Sequence, residues 1–176
     1  RTLATQWLAG LAAVEPGADE LDAYVAANVD ELTAKAVCSS HILVDTSDEA
    51  EAVAERLAAG ESFADVAREV SIDTGSGAAG GDLGCVALGT FVPEYETAAL
   101  QAELGVVTEP VQSEFGFHLI LTREATADEL LPIASATINE QTQATMDTAI
   151  EEATVVLAPQ FGTWDAAAHL YSPPPA

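Results

Sequence analysis

Four short segments in a fixed order along the middle of the chain constrain the fold most. They are residues 40–44 (SHILV), 63–67 (FADVA), 80–84 (GGDLG) and 115–120 (FGFHLI). The first and last are apolar runs typical of strands, the second carries apolar residues at helical spacing, and the third is a glycine-rich turn. The chain therefore alternates strand, helix, loop and strand.

The residues around these segments complete a small domain. Thr46 and Glu49 form a capping box that begins a helix. Ser62 begins a second short helix, and Pro93 begins a third that runs to Leu104. Residues 75–81 hold four glycines and are predicted to be irregular. Strands are predicted at 37–44, 83–87 and 117–122. The order β-α-α-β-α-β predicts an α+β fold with a helix-covered antiparallel sheet.

The two flanks are predicted to be mainly helical. Helices are predicted at 2–14 and 19–36, and the capping box Thr126 to Glu129 precedes a long helix over 135–153. A strand at 154–157, an ordered turn at 159–164 and a proline-rich tail at 171–176 follow. The chain opens on Arg1 within a helical pattern, so we expect that an upstream part is missing.

The net charge of −24 limits the possible partners. Twenty-nine acidic residues stand against five basic ones, and this charge repels phosphate backbones and anionic lipid surfaces. Nucleic-acid binding is therefore not expected. Because the carboxylates are dispersed, they indicate a solvated acidic surface. A salty habitat and basic client polypeptides are the alternatives.

The two cysteines, Cys38 and Cys85, each lie at the edge of a predicted strand. Their spacing matches no metal or redox motif. They are either buried thiols or, if the two strands are neighbours, a cross-strand disulfide. We predict that they pair or lie close enough to pair, which would imply an oxidising compartment.

Two histidines occupy similar places in apolar strands, His41 in Ser-His-Ile-Leu and His118 in Phe-His-Leu-Ile. Side chains alternate across a strand, so His41 shares a face with Leu43, and His118 with Ile120. If the two strands pair with these faces aligned, the imidazoles meet and one neutral ring can donate to the other. The residues alone favour two unrelated, partly buried histidines.

Taken together, the four segments resemble the parvulin family of peptidyl-prolyl cis/trans isomerases over residues 38–124. The resemblance implies a four-stranded antiparallel sheet covered by helices, with a central histidine pair. It also implies non-covalent rotation of X-Pro bonds without metal or cofactor. The domains implied are a helical flank at 1–36, an isomerase domain at 37–124, and a C-terminal segment at 125–176 that packs with the first flank.

The resemblance assigns roles to single residues. His41 and His118 would fix the pocket floor, and Asp73 would bias the substrate carbonyl or a bridging water. The implied substrate-binding residues are Leu83, Phe91, Val92, Tyr95, Ser113 and Phe115. Tyr95 stands where phenylalanine is more usual, so a slightly more polar pocket is expected. No basic cluster follows Val44, so selection of phospho-Ser/Thr-Pro is not expected.

The chain also resembles foldases of bacterial envelopes, whose flanking helices form a chaperone module. We therefore expect an extracytoplasmic isomerase that acts on unfolded or proline-containing polypeptides, with a signal or lipid anchor missing from this chain. The alternatives are a polypeptide-binding chaperone with a weak or inactive isomerase domain, and a purely structural envelope domain. The sequence names neither the clients, nor the preferred residue before proline, nor the oligomeric state.

Overall fold

The computed structural model describes residues 16–152, 163–165 and 170–172. The helices of this part are α1 (Ala18–Thr33), α2 (Ser47–Ala58), α3 (Phe63–Val70), α4 (Pro93–Gln101) and α5 (Ala127–Glu152). Its strands are β1 (Ala36–Val44), β2 (Asp82–Ala87), β3 (Val111–Ser113), β4 (Gly116–Thr122), β5 (Thr163–Asp165) and β6 (Leu170–Ser172). The predictions for 2–14 and 154–157 lie outside the described residues.

The chain divides into two compact units, the first of which is Ala18–Ala134. The described part of the second holds the later turns of α5 and the antiparallel pair β5–β6. This pair corrects two predictions, because the turn predicted at 159–164 becomes strand at Thr163 and the tail predicted from Tyr171 begins inside β6.

The sheet of the first unit has the order β2-β1-β4-β3, and its pairings are antiparallel. The four-stranded antiparallel sheet is therefore confirmed, with β1 and β4 at its centre. The sequence segments had not located β3, since three residues are too few to show a period of two.

Both faces of β1 are covered, and eight of its nine residues are buried. Ile42 and Val44 pack with Leu119 against α2 and α3. Val37, on the other face, packs with Ile120 against α4. At its first residues β1 also contacts α1 and α5. The cluster there is Val25, Leu32, Ala36, Cys38, Leu130, Ile133 and Ala134.

Capping boxes begin α2 and α5, as the sequence predicted. Thr46 accepts from the backbone of Glu49, whose carboxylate accepts from the Thr46 N–H. Thr126 and Glu129 exchange the same two bonds. Ser62 lies at the N-cap of α3, but its side chain makes no capping hydrogen bond.

Three predicted helix boundaries were wrong, and so was the prediction that the glycine-rich segment has no regular structure. Helix α1 ends at Thr33, so that β1 begins at Ala36. The glycine-rich segment contains one 3-10 turn, Gly77–Ala79. Helix α4 stops at Gln101, because the chain turns at Gly105 to donate its N–H to Thr122 of β4. Helix α5 begins at Ala127 rather than at Ser135. It continues through Pro132, which has no backbone N–H and so leaves one intrahelical hydrogen bond unmade.

Candidate active site

A continuous chain of side-chain hydrogen bonds crosses the centre of the sheet. Asp73 Oδ2 lies 2.8 Å from His41 Nε2. His41 Nδ1 lies 3.1 Å from His118 Nδ1, and His118 Nε2 lies 2.7 Å from Ser113 Oγ. The four side chains come from the loop after α3 and from β1, β4 and β3.

Strand register brings the two histidines together. His41 stands opposite Ile120, and His118 opposite Leu43. The imidazoles therefore occupy diagonal positions on one face of the β1–β4 pair. Their ring centroids are 5.3 Å apart and the rings are nearly parallel. The structure thus brings together the two histidines that the residues alone left unrelated.

The hydrogen-bond partners define a tautomer for each neutral ring. The Asp73 carboxylate can only accept, so His41 Nε2–H donates to it and His41 Nδ1 is left as an acceptor. His118 Nδ1–H then donates to His41, and His118 Nε2 accepts from the Ser113 hydroxyl. Ser113 Oγ in turn accepts from the Phe115 N–H at 3.1 Å. Every ring nitrogen has a partner while both histidines are neutral.

Asp73 is held by donors on the loop that carries it. Its carboxylate accepts from the Ser76 hydroxyl at 2.5 Å, and from the N–H groups of Gly75 at 2.9 Å and Ser76 at 3.4 Å. The pKa of Asp73 is held far below its usual value, first by the Ser76 hydroxyl and then by His41. The same loop is fixed to β1, because Ile72 N–H donates to the Leu43 carbonyl.

His118 is kept neutral by its surroundings. Burial, and after it the neighbouring His41, lower its pKa to about 4. The more distant Asp73 acts in the opposite direction without reversing the shift. The imidazole is therefore uncharged at neutral pH, as its place in the hydrogen-bond chain requires.

Tyr95 of α4 lies across both imidazoles. Its ring is nearly perpendicular to His41 and to His118, at centroid distances of 5.8 and 5.3 Å. The side chain is only 2% exposed, and burial raises its pKa to about 12. Its hydroxyl lies 2.9 Å from Ser39 Oγ of β1. The expected gain in pocket polarity is therefore wrong, since this hydroxyl is directed at the sheet.

An open cavity of about 400 Å³ lies above this network. Its lining residues are His41, Leu43, Asp73, Leu83, Thr90, Phe91, Val92, Tyr95, Phe115 and His118. Five of the six predicted substrate-binding residues are among them. Ser113 is not, because its hydroxyl is directed at His118. Phe115 is 59% exposed at the cavity mouth.

Three residues near the site escaped the sequence analysis. Leu43 and Thr90 line the cavity, and Ser39 binds the Tyr95 hydroxyl. Alternation along β1 places Ser39, His41 and Leu43 on one face, so the strand pattern contained that signal. Thr90 lies in a loop without periodicity, and no local pattern marks it.

Gly81 supports the site through the backbone. Its carbonyl accepts the His41 N–H at 2.8 Å. Its φ is +82°, and a Cβ on this residue would collide with the His41 carbonyl oxygen. Only glycine fits where the loop passes so close to the strand that carries the histidine.

A disulfide joins the two strands that hold opposite parts of the site. Cys38 of β1 stands opposite Cys85 of β2, and their sulfur atoms are bonded. Strand β1 carries His41, and β2 carries the cavity residue Leu83. The bond therefore fixes the edge strand of the sheet beside the cavity.

The described residues hold no group of three or more side chains placed to bind a metal ion. Within the same ranges no helix is both long and apolar enough to cross a membrane.

Comparison with known proteins identifies the family. The model of the PPIC-type peptidyl-prolyl isomerase (rotamase) domain matches residues 25–124. The foldase protein PrsA of Halalkalibacterium halodurans is 44% identical over 111 residues, which are 63% of this chain and 33% of that protein. The foldase protein PrsA of Oceanobacillus iheyensis is 40% identical over 91 residues, 52% of this chain and 30% of that protein. The chain thus spans about a third of the length of these relatives.

Solved structures agree with the sequence comparison. A crystal structure of the peptidylprolyl isomerase PrsA from Bacillus anthracis has a TM-score of 0.52 and 27% identity, and covers 78% of this chain and 69% of that one. PrsA from Bacillus subtilis has a TM-score of 0.53 and 28% identity, over 88% and 62% of the two chains. The histidine pair, its cavity and these similarities together show that the chain belongs to the PPIC-type, or parvulin, family of peptidyl-prolyl cis/trans isomerase domains.

Proposed function

We propose that this protein is a peptidyl-prolyl cis/trans isomerase that assists the folding of secreted or envelope proteins by rotating X-Pro bonds. The observation that supports it most directly is the apolar cavity built on two hydrogen-bonded histidines. The cavity is of a size to hold a prolyl ring against Leu83, Phe91 and Tyr95. The named foldase relatives support the same activity.

The chemistry needs no covalent step. The uncatalysed barrier of about 18–20 kcal/mol arises because the C–N bond has partial double-bond character. When the bond twists, this conjugation is lost, and the prolyl nitrogen becomes a better hydrogen-bond acceptor. The site has to bind the twisted state more tightly than either planar state. All four ring nitrogens of His41 and His118 form hydrogen bonds with other side chains of the protein. Neither ring therefore acts as a nucleophile in this mechanism.

In this proposal Asp73 sets the tautomer of His41. Its low pKa keeps the carboxylate charged at neutral pH, so it is a permanent acceptor for His41 Nε2–H. Because His41 Nδ1 can then only accept, this bond also fixes the donors of the next two hydrogen bonds, which are His118 Nδ1–H and the Ser113 hydroxyl. Asp73 also lines the cavity, where its charge biases the rotating carbonyl of the substrate or a bridging water.

The substrates proposed are unphosphorylated polypeptides. Among the described residues no lysine or arginine lines the cavity. The described cations are Lys35, Arg56, Arg68 and Arg123, and each forms an ion pair with a carboxylate. A phosphate on the residue before proline would meet Asp73 without a compensating cation, so phospho-directed binding is not part of the proposal.

The proposed location is extracytoplasmic. The disulfide between Cys38 and Cys85 supports it, because such bonds persist in oxidising compartments. The division into a flank at 1–36, an isomerase domain at 37–124 and a C-terminal segment at 125–176 remains a prediction. The helical flanks would add client binding to catalysis.

A protease-coupled assay with a tetrapeptide of the type Ala-X-Pro-Phe tests the activity directly. We expect this chain to accelerate cis-to-trans exchange well above the uncatalysed time of tens of seconds. The double variant His41→Ala/His118→Ala is the control for the site. A folded wild-type chain without acceleration would contradict the proposal and favour the chaperone alternative, which suppression of client aggregation would then test.

A further inference from the structure

A second and larger cavity lies away from the histidines. It measures about 560 Å³ and is bounded by α2 and by the loop between α4 and β3. We call it the α2 groove, and its lining residues are Ala54, Glu55, Leu57, Ala58, Gly105, Val106, Val107, Thr108 and Glu109. None of these lines the active-site cavity. Leu57 and Val107 pack on the sheet face that α2 and α3 cover, which is opposite to the face of His41 and His118.

The groove has an apolar surface that solvent reaches. Val106 in the lining is 50% exposed, and Leu104 beside it is 56% exposed. Single exposed apolar residues are ordinary on protein surfaces. Val106 is not isolated in this way, because the cavity that it lines also carries Leu57 of α2 and Val107 of the loop, so apolar side chains face a ligand from both walls.

The loop side of the groove is preformed. Gly105 N–H donates to the Thr122 carbonyl, and Thr108 N–H donates to the Ile120 carbonyl, both at 2.9 Å. Val107 also forms a bridge to Leu121 of β4. These bonds fix the loop along a central strand, so a ligand would not have to order this wall of the groove on binding.

The charge of the groove is negative and uncompensated. Glu55 and Glu109 both line it. Within the part of the chain that the structure describes, neither carboxylate has an ion-pair or hydrogen-bond partner. The described lysine and arginines are already paired with other carboxylates. A complementary ligand therefore has to bring both apolar surface and positive charge.

We propose that the α2 groove binds an extended segment of a client polypeptide in which apolar side chains are flanked by lysine or arginine. The inference rests on the proposed function, because a foldase meets unfolded segments of this composition. A client long enough to reach both faces would occupy the groove and present a proline to the active-site cavity. A tetrapeptide occupies the active-site cavity alone.

The test compares two triple variants of this chain. Val106→Ser/Glu55→Gln/Glu109→Gln removes the exposed apolar group and both charges of the groove. The matched control, Val29→Ser/Glu51→Gln/Glu140→Gln, removes one exposed valine and two exposed carboxylates outside both cavities. The probes are the proline-free peptide acetyl-Gly-Lys-Leu-Ile-Lys-Gly-amide and its counterpart with glutamate in place of both lysines.

We expect the lysine peptide to shift the amide resonances of residues 105–109 and to bind the wild type and the control with equal affinity. The groove variant and the glutamate peptide should each weaken binding about tenfold, and salt should weaken the lysine complex. Equal affinity of the groove variant and the control would overturn the proposal. The proposal would also be overturned if the chain without peptide sedimented as a dimer and the amide resonances of residues 105–109 shifted with protein concentration, since the groove would then be an interface between two copies. Tetrapeptide isomerisation, measured on the same samples, reports on the proposed function separately and should be unchanged in both variants.

Discussion

The Nδ1 atoms of His41 and His118 lie 3.1 Å apart, although 77 positions separate the two residues in sequence. The bond can form only if one nitrogen carries a proton and the other does not. Asp73 determines which, because its carboxylate accepts a hydrogen bond from His41 Nε2–H and so leaves His41 Nδ1 as the nitrogen without a proton. The protonation states of the site are thus coupled from one side of the sheet to the other.

The first prediction concerns stability at acidic pH. The pKa of His118 falls from 6.5 to about 4 on folding, chiefly through burial. In that window the unfolded chain binds a proton that the folded chain does not. The stabilisation that comes from burying His118 in its neutral form is therefore complete above pH 6.5 and is lost as the pH falls towards 4. Between pH 7 and 4.5 we expect the wild type to lose about 2 kcal/mol more unfolding free energy than His118→Gln. Urea unfolding at the two pH values measures it, and equal losses would contradict it.

The second prediction separates the charge of Asp73 from its role as acceptor. In Asp73→Ala, His41 Nε2–H loses its partner and both tautomers become populated. We expect kcat/KM to fall about tenfold, with mixed tautomers in ¹⁵N spectra of the imidazole. Asp73→Asn is the matched control, because its amide oxygen still accepts from His41, and it should retain most of the activity. If the two variants were equally impaired, the charge rather than the tautomer would be decisive.

A third prediction concerns the cavity wall. Phe91 lines the cavity and contacts Tyr95, with ring centroids 4.7 Å apart. It is only partly buried, so Phe91→Ala should lower the unfolding free energy by about 1–2 kcal/mol, less than a fully buried ring would. We expect kcat/KM for a tetrapeptide to fall at least about tenfold. Leu88→Ala, an exposed apolar residue on the same loop, should leave kcat/KM unchanged. A loss of stability without loss of activity would place Phe91 in the core rather than in the site.

The disulfide gives a fourth prediction. Cys38 and Cys85 close a loop with a sequence separation of 47, for which chain entropy gives about 4 kcal/mol of stabilisation. Reductant should lower the urea midpoint of the wild type accordingly. Cys38→Ser/Cys85→Ser should unfold at the reduced midpoint and show no response to reductant. Two titratable thiols in protein purified without reductant would show that the bond does not form.

A fifth prediction concerns the extent of the folding unit. Leu32 of α1 and Leu130 of α5 are fully buried against the first residues of β1. Residues 36–124 carry the site and should fold and isomerise tetrapeptides. Removing the two helices exposes this apolar cluster, so residues 18–134 should be more stable by several kcal/mol. Equal urea midpoints of the two segments would show that the helices add nothing.

The sequence determined the features whose partners are local. The capping boxes at Thr46 and Thr126 join residues three positions apart, so their spacing is visible in the sequence. The apolar runs of β1 and β4 likewise show which residues share a face, and the resemblance carried by four segments named the family. Because the interacting residues of these features are close in sequence, the rest of the fold has little influence on them.

The tertiary structure decided the features whose partners are remote. Strand β3 is too short to have a pattern of its own and exists because β4 offers an edge for pairing. The end of α4 is set by the bond from Gly105 to Thr122. Ser39 meets Tyr95 across 56 positions, and only the β1–β4 register makes His41 and His118 neighbours. Register and packing depend on the whole sheet at once, so no local stretch of the chain contains them.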